Sequence, residues 1–270
     1  MADETLNILC FGDSLTSGYH HYGTSSHPYS IAFKAKLQAA LPHMTINVYH
    51  NGKPGDVGSW PAFNERLKNE CDKRNYDWVI MLAGTNDLAY RLPTEDMYDA
   101  FQANWDVPLC KGNKVLALTI PESEAGLRWV VNDRAEVNRL ILNHRERNLC
   151  VPAAPPPRSE SSEADTFDAL PSFAFDLHAK IPYHSLSEED RAEFWDDGIH
   201  LTARGYDWMG EHIAEGFLVA LSSAEQARAT APSQSRRPRR TSDNAVFEEE
   251  SGNPRKLSEG YVVVRKKDLY

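Results

Sequence analysis

Short apolar runs alternate with longer segments whose apolar positions recur every three to four residues, from the start of the chain to about residue 221. The runs at 6–11 (LNILCF), 45–50 (TINVYH), 77–84 (DWVIMLAG), 114–120 (KVLALTI) and 172–178 (SFAFDLH) have the length and residue types of strands. Between them, 28–41, 60–74, 94–109 and 128–145 read as helices, and a last helix follows at 202–221. In 28–41, Ile31, Ala35, Leu37 and Leu41 fall near one side; 60–74 carries Phe63 and Leu67. In 202–221, Tyr206, Met209, Ile213 and Phe217 form one stripe. Thr94, followed by Glu95 and Asp96, reads as a cap with acids in the first turn of 94–109.

Strand and helix in alternation predict parallel strands joined by crossover helices. Nearly continuous apolar strands predict a sheet covered on both faces. The expected fold class is therefore α/β, a flavodoxin-like, three-layer, doubly wound parallel sheet of five strands occupying 1–221. Two stretches break the pattern. Residues 151–171 are rich in proline, serine and acid and are expected to be a disordered insertion. Residues 222–270 carry ten Lys/Arg against seven Asp/Glu without an apolar period, so a disordered charged tail is expected there. Its basic stretch offers a weak contact to anionic surfaces.

The formal net charge of −10 argues against a nucleic-acid partner, which would call for a basic face. No apolar run approaches the ~18 residues of a membrane span. The opening MADET is acidic where a secretory leader would be basic, so a cytoplasmic location is expected. Cys10, Cys71, Cys110 and Cys150 are scattered without a CxxC pair, so neither a disulfide nor a zinc site is expected.

In open doubly wound sheets, ligands bind outside the carboxyl ends of the strands. The residues just after the first three strands are GDSL (12–15), NGKPGD (51–56) and GTND (84–87), and DDGIHLT (196–202) precedes the last helix. A serine hydroxyl becomes a nucleophile when a base takes its proton, and an imidazole suits that task near neutral pH. Ser14 and His200 fit these roles, and Asp197, three residues before His200, can orient the ring. An oxyanion needs preorganised donors. The backbone N–H groups of Ser14 and Gly55 and the side-chain amide of Asn86 can supply them. Asp196 is read as solvated, and Asp13 as bracing its own turn. His20, His21 and His27 read, with Tyr19 and Tyr22, as loop residues at the mouth of a cleft rather than as metal ligands. No metal and no cofactor are expected. The chain has neither the Gly-Lys-Ser/Thr of a phosphate loop nor a G-x-S-x-G elbow.

The four blocks GDSL, NGKPGD, GTND and DGIH, in this order, resemble those of the SGNH, or GDSL, esterase and lipase superfamily, across residues 8–218. The resemblance implies a flavodoxin-like hydrolase fold, Ser14 as nucleophile, Gly55 and Asn86 as oxyanion donors, Asp197 and His200 as acid and base, and no cofactor. The expected function is a serine esterase that cleaves a small-molecule or lipid carboxylic ester through an acyl-enzyme. The same residues would serve an acyltransferase. A non-catalytic scaffold with a vestigial triad is a third reading, against which the intact blocks count. Loops 16–27 and 56–62, with Tyr19, Tyr22 and Trp60, are expected to set the acyl length accepted.

Overall fold

The computed structural model describes residues 4–144 and 172–230. Strand β1 (Glu4–Gly12) leads into a one-turn helix α1 (Ser14–Ser17), a small hairpin of β2 (Tyr19–His20) and β3 (Ser25–Ser26), and α2 (Ser30–Ala40). Then come β4 (Met44–Gly52), α3 (Pro61–Lys73), β5 (Trp78–Leu82), α4 (Thr85–Ala89), α5 (Thr94–Leu109) and β6 (Lys114–Leu118). The last elements are α6 (Arg128–Leu142), β7 (Ser172–Phe175), α7 (Glu188–Phe194) and α8 (Ala203–Thr230). These elements build one compact unit that ends at Gln226; of the second unit, 227–270, only the helical residues to Thr230 are described. Among the described residues, no helix is long and apolar enough to cross a membrane.

The five long strands form one parallel sheet in the order β4–β1–β5–β6–β7. The chain runs outward from β1 to β4, then returns to the other side of β1 as β5. The order therefore reverses at the carboxyl end of β1, the position at which such sheets bind ligands.

Alternation along each strand divides the core in two. Leu6, Ile8 and Cys10 of β1, with Trp78, Ile80 and Leu82 of β5, pack with residues of α2 and α8. Leu9 and Phe11, with Val79 and Met81, pack with residues of α3, α5 and α6. The stripe expected on the last helix is the one buried: Tyr206, Met209, Ile213 and Phe217 are all fully covered. Phe217 is the centre of that layer, with ring centroids 5.0 Å from Trp78 and 5.5 Å from Phe33.

Three local expectations are corrected. On α2 the buried residues are Ser30, Phe33 and Leu37, while Ile31 is 53% exposed and Ala35 is exposed as well. The larger Phe33 ring takes the inward position against Phe217 and rotates Ile31 outward. Helix α5 has no side-chain cap: Pro93 stands at its N-cap and Thr94 is already helical, followed by the expected acids. A proline at φ −58° sets the entry angle without a hydroxyl. Helix α8 continues past Leu221 to Thr230. Its extra turns are rich in helix-forming Ala, Glu, Gln and Arg, and Ala224 is buried. The rest of the tail, from 231, and the 151–171 segment lie outside the described residues.

The carboxyl edge is packed backbone to backbone. Gly12 pairs with Gly52 in register. A Cβ on Gly12 would lie 2.3 Å from Leu82 O, and one on Gly52 would lie 2.2 Å from Ser17 N. Side chains at these positions would push α1 away from the sheet.

Replacing Phe217 by alanine removes the ring shared by Trp78 and Phe33 and should cost about 3–5 kcal/mol of unfolding free energy. Urea unfolding measures it; a loss below about 1 kcal/mol would show that the α8 layer collapses onto the gap.

Candidate active site

The first group of site residues stands where β1 ends. Asp13 is the N-cap of α1, and its Oδ1 accepts from the Leu15 N–H at 2.9 Å, the bracing expected of it. Ser14 is the first residue of that helix and is 6% exposed. Its Oγ lies 2.9 Å from Nε2 of His200. Complete burial pushes the Asp13 carboxyl up to about 7, with the charges of Asp87 and Asp56 acting in the same direction. Its second oxygen is buried and has no hydrogen-bond partner.

The second group follows β4 and β5. Gly55 has φ +77°, with open space where a Cβ would be. Asn86, in the first turn of α4, donates its side-chain amide to the Asp56 carbonyl at 2.8 Å. The Gly55–Asp56 turn and Asn86 are thus fixed to each other. Asp87, fully buried, accepts from the N–H of Gly58 (2.9 Å) and of Ser59 (2.8 Å) and from the Ser59 hydroxyl.

Arg66 of α3 joins these elements. Its guanidinium lies on the Phe11 ring, 3.9 Å from the centroid. It donates to Gly12 O at 2.8 Å, to Asn51 O at 2.8 Å, to Asn51 Oδ1 at 2.6 Å and to Asp56 Oδ2 at 2.9 Å. Burial lowers its pKa, and the Asp56 charge works against that fall. Sequence reading missed Arg66 and Asp87. Arg66 sits next to Leu67 and three residues after Phe63, on the apolar face of its helix, and that placement was the available signal.

The third group is the loop before α8. An isolated antiparallel bridge between Trp195 and Leu201, both buried, closes it. Inside, Asp196 N–H donates to His200 O at 2.8 Å, and Glu124 N–H donates to Gly198 O at 2.7 Å. Gly198 has φ +77°, and a side chain there would strike Glu124. The Thr202 hydroxyl accepts from Gly205 N–H at 3.0 Å, so the loop leads directly into a capped helix.

Within that loop Asp197 Oδ1 accepts from the N–H of Ile199 (3.1 Å) and of His200 (2.7 Å). Asp197 Oδ2 lies 2.8 Å from His200 Nδ1. Burial opposes the Asp197 charge, but these hydrogen bonds outweigh it and hold the carboxyl below the usual range. With Nδ1–H directed at the carboxylate, Nε2 presents its lone pair to Ser14. Ser14, His200 and Asp197 therefore form a continuous hydrogen-bonded chain that joins the end of β1 to the loop before α8.

Asp196 is not solvated as expected. Its Oδ2 accepts from His21 N–H at 2.6 Å, and Oδ1 lies 3.9 Å from His21 Nε2. The backbone N–H of His21 in its tight turn is an orphan donor, and this carboxylate satisfies it. His20 Nδ1 engages Gly18 O at 3.0 Å, and His27 Nε2 engages Asp207 at 2.8 Å. Among the described residues no group of three or more His, Cys, Asp or Glu is arranged to hold a metal. Around the rim, Tyr19 lies against His200, and the exposed rings of Trp60 and Tyr90 meet at 5.0 Å.

A family model described as the GDSL-like lipase/acylhydrolase family matches residues 10–208. Comparison with the curated proteins gives no match. Several solved structures share the fold. A lipase/acylhydrolase from Enterococcus faecalis is 20% identical with a TM-score of 0.53, the match covering 78% of this chain and 94% of that one. A carbohydrate esterase of family 3 from Talaromyces cellulolyticus is 12% identical with a TM-score of 0.55, covering 81% and 99%. A mutant acetyl esterase with an acetate ion is 12% identical with a TM-score of 0.54, also covering 81% and 99%.

Two stability predictions follow from the buried charges. In the unfolded chain Asp13 titrates near the ordinary 3.8, whereas in the folded protein it is pushed up to about 7. The folded state then holds the extra proton between those values, so this group's stabilisation is full below the lower one and is lost as pH rises through the higher. Asp13→Asn keeps an acceptor for Leu15 and removes the charge. Its unfolding free energy should gain on the wild type as pH is raised from 4 to 8; a pH-independent difference would contradict the assignment. Arg66→Met leaves the buried Asp56 carboxylate without its nearest cation and should cost ~3 kcal/mol or more in urea unfolding. A loss indistinguishable from zero would mean that the guanidinium does not hold this edge together.

Proposed function

Because the chain belongs to the GDSL-like lipase/acylhydrolase family, we propose that it is a serine esterase cleaving a small-molecule or lipid carboxylic ester, with Ser14 as nucleophile. The observation that carries this reading is the hydrogen-bonded chain Asp197 Oδ2–His200 Nδ1 at 2.8 Å and His200 Nε2–Ser14 Oγ at 2.9 Å. Each contact is within the range expected of a working nucleophile, base and orienting acid.

In this mechanism His200 Nε2 takes the Ser14 proton as Oγ adds to the ester carbonyl. Asp197 stabilises the imidazolium that forms. The charge that develops on the carbonyl oxygen is met by the N–H groups of Ser14 and Gly55 and by the Asn86 amide. Asn86 is suited to the task because its side chain is already tied to the Asp56 carbonyl, so little reorganisation is needed when charge appears. The tetrahedral species collapses, His200 returns the proton to the departing alkoxide, and the acyl group remains on Ser14. A water molecule, deprotonated by His200, then adds to the acyl carbon, and the acid leaves as His200 returns the proton to Ser14 Oγ.

Turnover of short p-nitrophenyl esters tests the proposal. Ser14→Ala and His200→Ala should each lose on the order of 10³-fold or more in kcat, because such residues act as a unit. Asn86→Ala should lose roughly 10²-fold in kcat, about 3 kcal/mol, through one missing donor. Its KM should move little, since the bond belongs to the transition state. Activity that survives Ser14→Ala would overturn the mechanism, and an Asn86→Ala effect confined to KM would remove Asn86 from the oxyanion site.

A further inference from the structure

The hairpin that follows the nucleophile adopts a costly conformation. His21, Tyr22 and Gly23 have φ values of 50°, 54° and 80°, three consecutive residues in the left-handed region. For His21 and Tyr22 that conformation brings Cβ close to the following carbonyl oxygen. Bonds from several elements hold the turn in place. Asp196 accepts from His21 N–H at 2.6 Å, and the fully buried Tyr206 of α8 donates its hydroxyl to Tyr19 O at 2.8 Å. His27 engages Asp207 at 2.8 Å, and its N–H donates to Gly18 O at 2.8 Å.

The hairpin forms its own two-stranded sheet, apart from the main one. It does seat one ring. The Tyr19 side chain lies over Gly23, where a Cβ would come within 2.6 Å of Cε2. The ring also meets the His200 imidazole, at a centroid distance of 4.6 Å and an interplanar angle of 46°. Tyr19 is half-buried in this position, whereas Tyr22 at the hairpin tip is 88% exposed.

We propose that Tyr19 is a positioning residue for His200: its ring, clamped by the left-handed 21–23 turn, Asp196 and Tyr206, fixes the imidazole plane and stabilises the protonated ring during catalysis. The proposal rests on the reading of His200 as the base for Ser14. When His200 takes that proton it becomes a cation, and the face of a phenol ring at this separation attracts a cation. The other groups around the imidazole are accounted for. Asp197 faces Nδ1 and Ser14 faces Nε2. Asp196 is turned to His21, Glu124 meets Gly198, Asp13 caps α1, and the Tyr206 hydroxyl is bonded to Tyr19 O. Among the described residues, Tyr19 is the aromatic ring paired with the imidazole, at a tilt of 46°.

The test is steady-state ester hydrolysis across pH for the full-length protein and three variants, with circular dichroism to establish folding. Tyr19→Phe keeps the ring and should behave as the wild type. Tyr19→Leu should lose about tenfold in kcat with little change in KM. The acid limb of its kcat/KM profile should also move to lower pH, because the protonated imidazole has lost its stabilising ring. Asp196→Ala, which frees the hairpin and leaves the ring intact, should show the same signature to a smaller extent and covers the case in which Tyr19→Leu does not fold. An increase in KM with an unshifted pH profile would make Tyr19 a substrate wall and overturn the proposal, as would Tyr19→Phe failing as badly as Tyr19→Leu. Labelling of wild-type Ser14 by a fluorophosphonate separates the two levels. A labelled wild type with indifferent variants sinks the role of Tyr19 alone, and a wild type that neither labels nor turns over ester sinks the esterase reading and this proposal with it.

Discussion

The carboxyl edge of the sheet depends on one guanidinium. Arg66 reaches the last residue of β1, the end of β4 and the turn that carries Gly55. Lys53 also donates to Gly12 O and to Asp56 Oδ1, at 3.1 and 3.3 Å, but among the described residues only the guanidinium engages Gly12 O, Asn51 and Asp56 Oδ2 at once. A lysine could neutralise Asp56, but its single ammonium could not span these acceptors in a fixed fork. The position of Ser14 follows from this arrangement. Gly12 O is held, Asp13 caps the next turn, and Ser14 is placed at the head of α1. On the other side, Asp56 is held, and its carbonyl fixes the Asn86 amide.

This edge is acidic, and the acids are not equivalent. Asp56 is paired with Arg66, and Asp87 is satisfied by two N–H groups and a hydroxyl. Asp197 is surrounded by N–H donors that favour its charge. Asp13 alone is buried with an unsatisfied oxygen, and burial favours its neutral form. The carboxylate facing His200 therefore favours its charged form, while Asp13, the chain neighbour of Ser14, favours the neutral one. In the proposed mechanism, a second full negative charge beside Ser14 would oppose the charge that develops at the ester carbonyl.

Much of this was legible in the sequence, for identifiable reasons. The parallel sheet was readable because its central strands β1, β5 and β6 are apolar on both faces and its helices carry 3.6-residue stripes, of which Tyr206–Phe217 is the clearest. The meeting of Ser14, His200 and Asp197 was readable because each falls at a strand end or helix entry, and such sheets gather those points at one edge. What escaped was set by tertiary competition. Ile31 was displaced outward by Phe33, whose fit against Phe217 no periodicity reveals. Arg66 escaped because its partners, two backbone carbonyls and the side chains of Asn51 and Asp56, lie on other elements that only the fold brings together. Asp196 was read as solvated because its partner, the His21 N–H, is created by a left-handed turn 175 positions away. Propensity gave no hint of that turn, since His and Tyr rarely adopt it.

The central claim is that Ser14 is made nucleophilic by the chain His200–Asp197 and carries the acyl group during turnover. The most direct measurement is intact-protein mass spectrometry during the first turnover of a short p-nitrophenyl ester, quenched in acid, with the modified peptide then sequenced. The account predicts a single acyl group on Ser14 whose formation keeps pace with a burst of p-nitrophenol. It would be contradicted by ester turnover without any adduct, or by an acyl group resident on another side chain.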